Sequence, residues 1–201
     1  MFDVLIIGGG AAGVSCALVL GSAHKREFAH EKKVGIIAHQ KASALQDAVL
    51  NNAYGMPLYT LGSDTLTNGL RQLQDAYPHI TQIAKEKVSS ISGDFPLFTI
   101  TTNKNIYQAR SVVIAVGNSN SFNITGLQDF VIPHMKTIAD KNRIQLINTD
   151  HQIAQGMYVA GTLAGWRSQV AIAAGSGAAV ATDILTMWNN GIDTHSHDSL
   201  R

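Results

Sequence analysis

Near the start of the chain, Gly8-Gly9-Gly10-Ala11-Ala12-Gly13 forms a G-x-G-x-x-G between an apolar run and a stretch of small aliphatic residues. Each glycine has a distinct task. Gly8 permits a tight turn, Gly10 lets the main chain approach a pyrophosphate, and Gly13 lets a helix pack closely on a strand. The first N–H groups of that helix, with their partial positive charge, then face the phosphates. The pattern alone is common. Its position after a buried strand and at a helix start makes dinucleotide binding the expected use, in preference to a bare structural turn.

Such a motif normally continues to an acidic residue about 20 positions on, which binds the adenosine ribose. Here the second strand ends at Ala38, followed by His39 and Gln40, with no carboxylate. Either His39 or Gln40 meets the ribose hydroxyls, or main chain alone holds them, with His39 a surface residue. The single cysteine, Cys16, sits three residues after Gly13 and reads as a buried, inert thiol. One cysteine allows neither an intrachain disulfide nor a Cys-x-x-Cys pair within this sequence. The eight histidines lack metal-ligand spacing beyond His195-Ser196-His197.

These residues need elements to position them. Val4–Ile7 is a continuous apolar run, the mark of a strand covered on both faces. Ala11–Leu20 reads as a helix, the charged stretch His24–Lys33 as surface, and Val34–Ile37 as a second buried strand, together one βαβ unit. Leu66, Leu70 and Leu73 share one face of a helix over Asp64–Ala76 that Pro78 stops. Lys87–Ile91, Leu97–Thr102 and Ile106–Gln108 predict an antiparallel meander turning at Gly93-Asp94 and Asn103-Lys104-Asn105. Ser111–Ala115, Arg143–Asn148 and Met157–Ala160 are further strands, and Gln169–Trp188 is a long Ala-rich helix. Residues 1–190 form one domain, and residues 191–201 a polar, frayed tail.

Composition agrees. Of 201 residues, 45 % are apolar and 14 % charged, against about 25 % charged in an average protein. That excludes a disordered chain. A net charge of +1 without a basic patch gives no case for nucleic acid or an anionic membrane. Met1-Phe2-Asp3 leads directly into an apolar strand, without a basic leader or cleavage site, so no signal peptide is expected. The glycines at positions 8–13 interrupt the one N-terminal stretch that resembles a membrane span. A cytoplasmic protein is expected.

The later segments resemble the FAD-binding domain of the thioredoxin reductase family. Gly156-Met157-Tyr158-Val159-Ala160-Gly161-Thr162, followed by Gln169-Val170-Ala171-Ile172-Ala173-Ala174-Gly175-Ser176-Gly177, is similar to its C-terminal flavin motif. Ser111–Gly117 looks like its Ala-Thr-Gly strand, with Val116 in place of Thr. Asn52-Ala53-Tyr54-Gly55 and Leu61-Gly62 are similar to its Asn-x-x-Gly and following Gly. The resemblance implies an α/β, Rossmann-like fold with a parallel sheet, flanking helices and a small antiparallel meander. It implies that Gly8, Gly10, Ala11, Ala12 and Gly13 hold the FAD pyrophosphate, with Ala38, His39 or Gln40 near the ribose and Asn52 in the same site. Val88 would meet the adenine, and Ala115 and Gly117 the ribityl chain or pyrophosphate. Gly161 and Thr162 would lie at the ribityl and phosphate region, and Gln169 and Val170 under the flavin pyrimidine. Trp166 and Arg167 either line the flavin opening or, for Trp166, fill core or a dimer contact.

Two departures shape the expected function. Thr162 replaces the family's Asp, and Asn118–Arg143 is 26 residues where the family inserts an NADPH domain. A βαβ unit needs about 30 residues, and this segment has no second G-x-G-x-x-G. The resemblance therefore implies a small FAD-dependent oxidoreductase without an internal disulfide relay, taking a small-molecule substrate or NAD(P)H on an open flavin face. The alternative is a flavin-binding electron-transfer or sensor module reduced by a partner reductase. A third reading, from Ala38 and Thr162, is a fold that has lost FAD and binds another adenine nucleotide. A homodimer through the flavin domain is expected.

Overall fold

The computed structural model describes residues 1–39, 43, 45–119 and 121–198. The chain runs β1 (Phe2–Ile7), α1 (Ala11–Ser22), β2 (Val34–Ala38), α2 (Gly62–Ala76), β3 (Thr81–Ala84), β4 (Val88–Asp94), β5 (Leu97–Thr102) and β6 (Ile106–Ile114). It continues with β7 (Val131–Pro133), β8 (Ile144–Leu146), β9 (Gln152–Ala154), β10 (Met157–Val159) and α3 (Val170–Trp188). The main sheet has the order β3-β2-β1-β6-β10-β9, parallel except for β9, with β5 added antiparallel to β6 and β4 antiparallel to β5. This is the expected α/β, Rossmann-like architecture with its small antiparallel meander.

The continuous apolar run of β1 has a simple cause. Its alternate side chains enter two different cores. Val4 and Ile6 pack on one face with Leu20, Leu73, Val180 and Ile184, from α1, α2 and α3. Leu5 and Ile7 pack on the other with Phe98, Ile100, Ile124 and Leu146, from the meander and the segment after it. Each of these four β1 side chains is at most 2 % exposed, and each burial stabilises by roughly 1.5–3 kcal/mol. The helices thus cover one face, and the meander covers the other.

Several elements differ from expectation. Ile106–Gln108 and Ser111–Ala115 are not separate strands but one, β6, whose first half pairs antiparallel with β5 and whose second half pairs parallel with β1. Ala109 belongs to both pairings, and it is fully buried. The meander turns at Phe95-Pro96 rather than at Gly93-Asp94, which remain in β4. Of Arg143–Asn148 only β8 is strand, and it pairs with β7 outside the main sheet. Residues 191–198 of the tail pack back rather than fraying: Thr194 and Ser196 are buried, and Tyr77 donates to the Asp198 carboxylate. α3 is long and apolar enough to cross a membrane, but its buried side packs lengthwise on α1.

One buried carboxylate ties the strand ends together. Glu86 accepts hydrogen bonds from Thr102 Oγ1 (2.6 Å), Asn105 Nδ2 (2.7 Å) and Tyr107 Oη (3.0 Å). The Thr102 bond comes first among the effects that hold its carboxyl below the usual range, with Asn105, Tyr107 and Lys104 adding to it against the opposing effect of burial. Folding is therefore favoured by the ionised form above the ordinary glutamate value of about 4.3, and this contribution is lost as pH falls through the folded value. Glu86→Gln is expected to lower the melting temperature by a constant amount between about pH 6 and 8, with the gap narrowing below about pH 4. Thermal melts of both proteins across that range check this, and a gap that widens in acid contradicts it.

Candidate functional site

The carboxyl ends of β1, β6 and β10 meet the first turns of α1 and α3, and close main-chain approach makes the meeting possible. Gly8, with φ of +122°, occupies a backbone region that side chains disfavour, and a Cβ there would stand 2.3 Å from the Ala115 carbonyl oxygen. A Cβ on Gly13 would stand 1.9 Å from the Gly8 carbonyl oxygen, and one on Gly177 would stand 1.9 Å from that of Ala12. A Cβ on Gly161 would come within 3.1 Å of the Ala12 Cβ. Gly8, Ala12, Gly13, Ala115 and Gly161 are thus one cluster. Gly177, the last residue of the flavin-like motif, belongs to it.

Gly10 and Gly117 behave differently. A Cβ on either meets nothing within 4 Å, so their backbones border open space. Gly10 is the N-cap of α1, whose first turn has neither a capping side chain nor an acidic residue. The N–H groups of Ala11, Ala12 and Gly13 lie in that first turn, where helical N–H groups have no partner within the helix and favour an anion. This arrangement suits a phosphate group in both shape and charge.

The other predicted positions fall around it. Ala38 closes β2, where its carbonyl accepts from Lys85 N (3.1 Å) and so brings the strand end to the segment leading to Val88. Val88 is buried at the start of β4, and His39 is exposed. Gln40 lies outside the described residues. Asn52 is exposed on the loop before α2 and makes no hydrogen bond to the cluster. Gln169 is the N-cap of α3, with Val170 its first residue, again without a capping side chain or an acid in the first turn. The solvent-facing hollow along α2, lined by Asn68, Arg71, Gln72, Asp75 and Ala76, shares no residue with this site.

Between β10 and α3, the turn Gly161–Ala164 and the following Trp166 are held by two histidines. The Gly161 N–H donates to Ser176 Oγ (2.8 Å), which donates to His151 Nε2 (2.9 Å), and Trp166 Nε1 donates to the same nitrogen (3.1 Å). Trp166 has no acceptor, so His151 Nε2 must be unprotonated. Burial holds the His151 pKa below its ordinary value, against the opposing pull of Asp183 and Asp150, in keeping with that neutral form. His134, 5 % exposed, lies between the Thr162 and Trp166 carbonyls, at 3.1 and 3.2 Å from Nε2. Lys136 Nζ stands 4.3 Å from the centre of the Trp166 ring. Thr162 keeps its hydroxyl free of hydrogen bonds among the described residues. His134 and His151 carried no sequence signal, since each acts through partners distant in the chain; Ser176 lies inside the flavin-like motif, but nothing there marks its bonds to Gly161 and His151.

A family model described as pyridine nucleotide-disulphide oxidoreductase matches residues 2–177. A thioredoxin reductase of Treponema pallidum is 33 % identical over 132 residues, covering 65 % of this chain and 40 % of that protein. A ferredoxin–NADP reductase of Streptococcus mutans is 29 % identical over 118 residues, covering 59 % and 34 %. The chain thus spans two fifths or less of these curated relatives. Among solved structures, a thioredoxin reductase from Gloeobacter violaceus superposes with a TM-score of 0.73 at 16 % identity, over 100 % of this chain and 99 % of that one. At that identity the likeness concerns the fold.

The glycine contacts predict contrasting substitutions. Gly13→Ala is expected to cost about 3 kcal/mol or to prevent folding, because the new methyl meets a main-chain oxygen rather than a side chain that can turn away. Gly10→Ala, with open space and an extended backbone, is expected to cost under about 1 kcal/mol. Urea denaturation of both variants checks the contrast, and equal costs contradict it.

Proposed function

The chain belongs to the pyridine nucleotide-disulphide oxidoreductase family, a family of FAD-binding flavoproteins, and we propose that it is an FAD-dependent oxidoreductase domain that receives its electrons from outside itself. The observation that carries the reading is the glycine-lined space at Gly10 and Gly117, set against the uncapped first turn of α1. The pyrophosphate would be held by the N–H groups of Ala11, Ala12 and Gly13, with Ala115 and Gly117 alongside. The adenosine end would lie towards Ala38, His39 and Val88. The free hydroxyl of Thr162 supplies a neutral partner for a ribityl hydroxyl where the family carries a carboxylate.

When bound, FAD supplies the hydride or single-electron chemistry at its flavin ring. The protein's part is binding, orientation and electrostatics. The uncapped first turn of α3, beginning at Gln169 and Val170, offers N–H groups to an edge that gains negative charge. Cys16 is completely buried, and burial drives its thiol pKa far upward, so this residue takes no part in thiol exchange. Between β6 and β10 the described residues contain β7, β8, β9 and short turns but no helix able to build a second nucleotide-binding unit. That supports donation by free NAD(P)H or by a partner reductase, and favours the electron-transfer module as the second reading. The relatives' names make NADPH, ferredoxin and thioredoxin the first donors and acceptors to try.

The purified chain is expected to be yellow or to become so with added FAD, and Gly10→Val is expected to weaken FAD binding by at least tenfold without loss of fold. Bleaching by NADH or NADPH under anaerobic conditions supports direct hydride donation. Slow bleaching by both, with fast reduction by a ferredoxin- or thioredoxin-linked reductase, supports the module reading. Failure of the chain to bind FAD in calorimetry overturns both. We further propose a homodimer, for which light scattering should give twice the chain mass. A monomer mass would overturn it.

A further inference from the structure

His134 is unusual in having both ring nitrogens committed. The Lys136 main-chain N–H donates to Nδ1 (3.2 Å), which fixes Nδ1 as an acceptor, and Thr137 Oγ1 lies 3.1 Å from the same atom. The proton must then reside on Nε2, which donates to the carbonyls of Thr162 (3.1 Å) and Trp166 (3.2 Å). One carbonyl lies within, and the other just beyond, a turn whose first residue, Gly161, packs on Ala12 at the start of α1. The grip is reinforced from the same hairpin. Gln145, on β8, accepts from the Met135 N–H (2.9 Å) and lies where a side chain on Gly165 would stand, 2.9 Å from such a Cβ. The hairpin β7–β8 is therefore joined to the cofactor-facing turn through buried His134, with Gln145 packed beside it, Asn148 Nδ2 donating to the Ala164 carbonyl (3.3 Å), and Leu146 and Leu163 sharing one core.

We propose that His134 is a positioning residue of the FAD site: it holds the Gly161–Trp166 turn so that Thr162 is presented to the cofactor. The proposal rests on the flavin reading. Its physical content is that the imidazole, in its neutral Nε2–H form, binds one main-chain oxygen within the turn and one just after it. It thereby orders the segment before the cofactor arrives and removes that ordering cost from binding. The segment between β6 and β10 then contributes to the cofactor site itself, through a residue that touches no ligand. Glutamine carries a donor and an acceptor at comparable reach and can replace part of the contact. Leucine fills the space but leaves the carbonyls unpaired.

The test uses the full chain with FAD as the probe. His134→Leu is expected to weaken FAD binding at least tenfold and to change the visible circular dichroism of bound flavin. His134→Gln is expected to recover most of both. In the FAD-free proteins, amide exchange at residues 161–167 should accelerate in His134→Leu while the main sheet stays protected. Nitrogen NMR of the wild-type imidazole should report the Nε2–H tautomer. FAD affinity within twofold of wild type in His134→Leu, with only a lower melting temperature, overturns the proposal in favour of a purely structural role. If His134→Leu does not fold, an Nδ1–H tautomer in wild type, or His134→Gln binding FAD no better than a tenfold loss, overturns it instead. A wild-type chain that binds no FAD overturns the flavin reading and the cofactor role of His134 with it. Exchange at 161–167 that still depends on His134 then shows that the ligand, not the clamp, was wrong.

Discussion

Everything at the site depends on how closely main chain can approach main chain where α1 begins. A Cβ at Gly13 or Gly177 would fall 1.9 Å from a carbonyl oxygen, so no side chain can stand at either position without moving an element of the fold. This contact seats α1 on β1 and α3 on α1. It brings Gly161, at the end of β10, against Ala12. The dinucleotide-facing turn and the turn before α3 are neighbours because of it. The open space at Gly10 is the complement of that crowding: one side of the helix start is sealed by protein, and the other is left for a ligand.

The second organising feature is β6. A strand that is antiparallel to β5 at one end and parallel to β1 at the other joins the meander directly to the central sheet. Phe98 and Ile100 thereby cover the face opposite the helices. Ile124, Leu127 and Leu146, from the segment that follows, complete that covering. A parallel sheet requires both faces to be buried, and here the second face is closed without another layer of helices. The segment between β6 and β10 thus has a packing role before it has any functional one, which explains how it can be short and still contain buried residues.

Legibility in the sequence followed the range of the interactions. β1, β2, α1, α2 and α3 were readable because burial on both faces, or on one helical stripe, writes itself into consecutive residues. β3, β7 and β9 were not, since each has three or four residues and is defined by backbone pairing with a distant partner. β6 was read as two strands because exposed Gln108 and Arg110 interrupt its apolar pattern. The two halves have different neighbours, and their side-chain patterns differ accordingly. The meander turn was placed at Gly93 on residue type, whereas Phe95-Pro96 makes it. Of the candidate site, the glycines and the helix starts were legible, because their task is set by local backbone. His134 and His151 were not. A lone histidine looks the same in sequence whether it lies on the surface or closes a contact to a residue 28 positions away.

The two histidines also bear on how the turn can respond to its surroundings. His151 accepts from Ser176 and Trp166 through one nitrogen, so its protonation would force at least the Trp166 N–H to leave. Ser176 could still accept from Gly161 while turning its own proton away. Loss of the His151 contact therefore frees the indole before it frees the turn. His134 holds the same residue by its main-chain carbonyl, so the backbone of Trp166 stays fixed when its ring is released. Main-chain anchoring and side-chain anchoring are thus carried by different groups. A site built this way can keep the geometry of Thr162 constant while the exposed indole beside it, under Lys136, changes its hydrogen bonding.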